Sequence, residues 1–93
     1  MITSFADKRT AAIFAGHNVK GIPPDVAKRT RNKLIMLNAA QRLGDLRVPP
    51  GNRLEPLIGD RAGQHSIRVN DQWRLCFVWN AGSVERVEFC DYH

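Results

Sequence analysis

Asp91, Tyr92 and His93 set a carboxylate, a phenol and an imidazole side by side at the close of the sequence. Arg74 stands in an alternating run upstream, and Glu55, Arg53 and Arg61 come from the turn-rich stretch before it. Cleavage of a phosphodiester without a metal has three requirements. A base takes the proton of a ribose 2′-OH, an acid protonates the departing 5′-oxygen, and a fixed cation holds the charge that builds on the phosphorane. An imidazole suits either proton-transfer role. A strand arginine suits the third, because packing can fix its planar fork. Taken alone, such residues decide little. A terminal histidine is more often a solvated end than a catalyst, and a strand arginine is more often a cross-strand partner.

The chemistry needs a scaffold, and the hydrophobic pattern supplies one. Alternation predicts a short strand over residues 2–5. Apolar bulk from Ala11 to Ala15 predicts a helix over residues 7–15, stopped at Gly16. A longer helix starts at Pro23-Pro24-Asp25, where proline fits the first turn and an acid suits the positive dipole end. Val26, Thr30, Leu34, Leu37 and Ala40 recur at helical spacing, which predicts about five turns down to Leu43, with Gly44 as the stop. Its opposite face carries Lys28, Arg29, Arg31, Asn32 and Arg42.

Turn signals fill residues 45–63, after which the period changes to two. Residues 65–69 and 72–79 read as strands joined by a two-residue reversal at Asn70-Asp71, and residues 84–92 as a third. Trp73, Leu75, Phe77 and Trp79 share one face, with Arg74, Cys76 and Val78 on the other. Alternation puts Asp91 and His93 on one face and Tyr92 on the other, with Arg74 on the neighbouring strand facing this terminus. The expected class is α+β, in the order β-α-α-β-β-β, an antiparallel sheet packed against two N-terminal helices in a single domain spanning residues 1–93.

Ninety-three residues leave no room for a second core. The net charge is +5 and the sequence pI about 9.9, and ten of the fourteen cations are arginine. Arginine matches phosphate bidentately, so a polyanion or an acidic protein is the expected partner. Arg53, Arg61 and Arg68, with Arg29, Arg31 and Arg42 of the second helix, are the candidate contacts to such a partner; an ordinary solvated face is the plain alternative. Cys76 and Cys90 lack the close-spaced companions of a zinc site, so no metal or cofactor is expected. With no secretory signal pattern, both are expected as buried thiols in a reducing cytoplasm, bridged only if their strands pair in register. No apolar run is long enough to span a bilayer.

Three segments carry a resemblance: residues 49–57 (Pro49-Pro50-Gly51-Asn52-Arg53-Leu54-Glu55-Pro56-Leu57), the block from Gly59 to Phe77 with its Trp73-Arg74 pair, and the closing Asp91-Tyr92-His93. The sequence resembles toxins of the HigB family, within the RelE/ParE superfamily. The resemblance implies the RelE fold, metal-independent cleavage of mRNA on the translating ribosome, and neutralisation by a HigA-type helix-turn-helix antitoxin, through which the pair binds operator DNA. It ties activity to Arg74, Asp91, Tyr92 and His93. Some relatives carry a histidine at the position of Glu55 and a lysine at that of Ile58. Glu55 is therefore a candidate general base, and one phosphate contact is missing at Ile58. A ParE-like, gyrase-binding inhibitor shares the fold without the chemistry, and a catalytically weak co-repressor is a third possibility.

Overall fold

The computed structural model describes residues 1–91. Two helices, α1 (Lys8–Phe14) and α2 (Pro24–Ala39), precede an antiparallel sheet of β1 (Glu55–Pro56), β2 (His65–Arg68), β3 (Trp73–Asn80) and β4 (Ser83–Asp91), ordered β1-β2-β3-β4. The α+β class and the two-helix, antiparallel-sheet architecture are those expected from the pattern. Among the described residues, no helix is long and apolar enough to cross a membrane.

Asp7 caps α1 by accepting from the Thr10 amide at 2.7 Å, which satisfies one of the orphan donors of a first turn. Leu34 and Leu37 of α2 and Ile13 of α1 pack on Ile67, Leu75, Phe77, Val87 and Phe89 of the sheet, each at most 1% exposed. Burying each such side chain is worth about 1.5–3 kcal/mol. The core therefore lies between helices and sheet.

Three expectations need correction. The opening segment forms no regular strand; Ile2 and Phe5 make isolated parallel bridges to Val84 and Val87 along the free edge of β4. The second helix ends at Ala39, where Ala40 turns extended. The Asp45 carboxylate then accepts from the amides of Gln41 and Arg42 at 3.1 and 3.0 Å, a more favourable end for those donors than another helical turn. Gly44 thus lies inside a 3₁₀ turn, Leu43–Arg47, and Arg42 is not on the helix. Finally, the β2–β3 connection is longer than two residues. Arg68 pairs with Arg74, and the Asn70 side chain accepts from the amides of Gln72 and Trp73.

Candidate active site

Register assigns the faces. Glu55 lies opposite Ser66, Ser66 opposite Cys76, Arg68 opposite Arg74, and Arg74 opposite Cys90. Directly opposed residues point to the same side of a sheet. Glu55, Arg68, Arg74, Cys76, Glu88 and Cys90 therefore share the face away from the helices. Glu55 and Arg74 stand two strands and two residues apart, roughly 12 Å between Cα atoms from strand spacing and rise. That gap lets a carboxylate and a guanidinium reach a phosphate and its ribose from two sides.

The structure brings Glu55, Arg61 and Arg74 together around one open cleft of about 350 Å³, walled by Pro56, Leu57 and Ile58. Two β1 residues carry the base candidate to this spot. A short 3₁₀ turn, Gly59–Arg61, sends the second arginine back over the sheet. Arg61 donates to both oxygens of Glu88, at 3.2 and 3.3 Å, and to Gln64 Oε1 at 3.1 Å. The Glu88 hydrogen bond raises the pKa of Arg61 further above its ordinary value, so this guanidinium stays charged. Ile58 is 89% exposed at the cleft rim.

Behind these charges lies a pair of sulfurs. Cys76 and Cys90 are free thiols, both buried, with Sγ atoms 2.7 Å apart across β3 and β4. The strands pair, but the two cysteines sit diagonally, Cys76 facing Glu88. The hydrogen bond to Cys76, helped by the charges of Arg61 and Arg74, brings the Cys90 thiol down to about 7. The same contact and burial push Cys76 up.

The remaining candidates are distributed differently. Asp91 lies opposite Trp73, the strand parity of Leu75 and Phe89, one step off that of Arg74. Tyr92 and His93 lie outside the described residues. Arg53 is exposed and adopts a left-handed backbone, φ 46°, away from the cleft lining. Arg68 pairs with the exposed Asp71. On α2, Arg31 donates Nε to the Phe14 carbonyl at 3.1 Å, tying the two helices, and Arg29 remains exposed.

Several residues that matter were not legible as such. Lys33 donates to the buried Asn52, whose amide in turn donates to the Leu46 carbonyl at 3.0 Å and the Val48 carbonyl at 3.3 Å. Burial, then the neighbouring Arg29 and Arg68, lowers the Lys33 pKa. This places Arg29, Lys33 and Arg68 in one basic cluster beside the loop that delivers Glu55. A second cleft of about 520 Å³, lined by Leu43, Arg47, Leu54, Pro56 and His65, shares Pro56 with the first and takes in none of the predicted catalytic residues. Among the described residues, no group of three or more His, Cys, Asp or Glu side chains could hold a metal ion.

The family described as RelE-like toxin of type II toxin-antitoxin system HigB matches residues 3–93. Over 93 residues, all of both chains, the protein is 32% identical to Endoribonuclease HigB of Proteus vulgaris. It is 51% identical over 61 residues to Toxin HigB-1 of Vibrio cholerae serotype O1, a match spanning 66% of this chain and 64% of that one. In fold it is similar to the YoeB-YefM complex from Staphylococcus aureus, with TM-score 0.63 and 14% identity over 100% of this chain and 98% of that one. It is also similar to YafQ from E. coli, with TM-score 0.51 and 18% identity over 94% and 89% of the two chains.

Proposed function

Because this chain belongs to the HigB-like, RelE-like toxins of type II toxin–antitoxin systems, we propose that it is an endoribonuclease that cuts mRNA during translation without a metal. The convergence of Glu55, Arg61 and Arg74 on one open cleft is the observation that carries the reading. A carboxylate on one wall can take the 2′-OH proton while two guanidiniums on the other hold the scissile phosphate. Attack of the 2′-oxygen then expels the 5′-oxygen and leaves a cyclic phosphate.

In this reading Arg74 stabilises the phosphorane, where a fixed donor is worth about two to three orders of magnitude in rate. His93 is the acid for the leaving oxygen and Tyr92 completes the site, as the family pattern has them; Asp91, on the Trp73 side of the sheet, flanks them in sequence without meeting the phosphate. Arg53, Arg61 and Arg68 bind the message. Arg29 and Arg31 of α2, with Arg42 beyond its end, meet ribosomal phosphate, so that binding weakens steeply with salt. A HigA-type antitoxin, carrying the helix-turn-helix that reads operator DNA, neutralises the toxin in the cytoplasm.

The test is to incubate the purified protein, stripped beforehand by chelator and dialysed or left untreated, with translating ribosomes and a defined message, and to map the RNA ends. Cleavage within codons that survives chelation and is lost in Arg74→Ala and His93→Ala is the expected result. Intact messages, or growth arrest through blocked replication instead, would end the reading.

A further inference from the structure

β4 is an edge strand, and its outer backbone groups are taken up in sequence. The Val84 amide donates to the Met1 carbonyl at 2.9 Å, and the Ala6 amide to the Val87 carbonyl at 2.9 Å. At Phe89 the partner changes from backbone to side chains of α1. The Phe89 amide donates to Thr10 Oγ1 at 2.9 Å, and its carbonyl accepts from Arg9 Nη2 at 2.8 Å. Both backbone groups of one residue are thus held by consecutive side chains of one helix.

The hydrogen bonding fixes the direction of this grip. The single hydroxyl proton of Thr10 is donated to Asp7 Oδ1 at 2.7 Å, so the oxygen meets Phe89 only as an acceptor. Asp7 also caps α1 through the Thr10 amide, which makes the helix start and the strand clamp one unit. The Arg9 guanidinium lies 5.2 Å from the Phe89 ring and 5.6 Å from the Trp73 ring. Those two rings stack at 4.3 Å between centroids. Planarity lets Arg9 lie along the stack and still reach the carbonyl.

Trp73 and Phe89 immediately precede, in sequence, Arg74 and the Cys90-Asp91 segment. The clamp therefore grips β4 from α1 just before the segment that the ribonuclease reading puts at the site. We propose that Asp7, Arg9 and Thr10 are positioning residues for RNA cleavage, a clamp on Phe89 that sets the end of β4 in register against Arg74. This rests on the ribonuclease reading given above. A displacement of about an ångström at a reacting group is enough to cost two orders of magnitude in rate, while substrate contacts through the basic surface are left as they were.

Two measurements on the full chain separate the clamp from the chemistry. Amide hydrogen exchange followed by NMR reads the strand end, and single-turnover cleavage of programmed ribosomes reads the reaction. Thr10→Val should raise exchange at Phe89 and Asp91 about tenfold or more while leaving Leu75 and Phe77 protected. It should lower the cleavage rate about tenfold or more with the half-saturating concentration within about twofold; Thr10→Ser should restore both. Arg9→Ala, at an exposed residue, removes the donor to the Phe89 carbonyl and gives the same pattern if the buried Thr10→Val variant fails to fold. Unchanged exchange at Phe89 in both Thr10→Val and Arg9→Ala overturns the clamp. Raised exchange with an unchanged rate overturns its catalytic role. A wild-type protein that cuts nothing overturns the ribonuclease reading instead, with the exchange data still deciding the clamp.

Discussion

Replacing Glu88 by Gln isolates what a carboxylate does beside Arg61, which lines the proposed RNA cleft. Arg61 meets Glu88 through two hydrogen bonds, at 3.2 and 3.3 Å, with both side chains about a third exposed, at 33% and 32%. Solvent screens a pair this open, so the loss in stability should be about 0.5–1 kcal/mol. For a domain of this size that lowers Tm by roughly 2–8 °C, and the glutamine keeps one acceptor, which favours the small end. RNA binding should move the other way. Removing a unit negative charge about 6 Å from a phosphate, at close to the dielectric of water, relieves about 0.7–1 kcal/mol of repulsion. Affinity for a single strand should then rise about three- to fivefold at low salt. Arg61, freed from its partner, should steepen the dependence of log affinity on log salt by about 0.7. Fluorescence anisotropy with an RNA blocked by a 2′-deoxy substitution, repeated across a salt series, measures both quantities. An unchanged slope with unchanged affinity would show that Arg61 meets no phosphate and serves only to brace β4.

Three further outcomes follow from the geometry. Asn52→Ala leaves the Leu46 and Val48 carbonyls and Lys33 without their shared partner, which should cost about 2–3 kcal/mol and lower Tm by roughly 10–20 °C in a thermal melt. Ile58→Lys adds a cation at a rim position that is 89% exposed, so it should raise RNA affinity and cleavage with little change in Tm. No gain in a cleavage assay would remove Ile58 from the account of weakened phosphate contact. Ultraviolet titration of the folded protein should show a thiolate step near pH 7 from Cys90, missing in Cys90→Ser. An unfolded thiol holds its proton to about pH 9. The Cys90 contribution to stability therefore grows between pH 7 and 9 and is lost as pH falls through 7. Denaturant melts at the two ends of that window check the sign.

What the sequence made legible is what depends on period and residue type. Leu34 and Leu37 at helical spacing, and Leu75 and Phe77 at spacing two, lie where their patterns put them, each 0% exposed. Arg74 and Glu55 were named from chemistry and resemblance, and register alone suffices to put them on one sheet face. The misreadings arise where a local hydrogen bond outweighs the period. Asp45 ends α2 by taking the amides of Gln41 and Arg42, although apolar spacing runs on to Leu43. On β4 the core residues Val84 and Val87 are three apart, not two, because a bulge inserts a residue opposite Phe77 and throws Arg86 into a left-handed conformation, φ 53°. A bulge increases local twist and redirects the strand beyond it.

That bulge bears directly on the site. From Glu88 onward the parity of β4 is set by the irregularity and not by the turn at residues 80–83, so counting along the strand from Ser83 places every later side chain on the wrong face. Cys90 lies with Arg74 and Cys76, while Asp91 lies opposite Trp73. The N-terminal segment follows the same offset. The Arg86 amide donates to the Ser4 hydroxyl oxygen at 2.9 Å and the Val87 amide to the Ser4 carbonyl at 3.2 Å, holding the two residues that the bulge throws out of step. Edge, bulge and clamp are thus successive parts of one device. Its first half fixes which face each β4 side chain takes, and the α1 side chains hold the strand at Phe89.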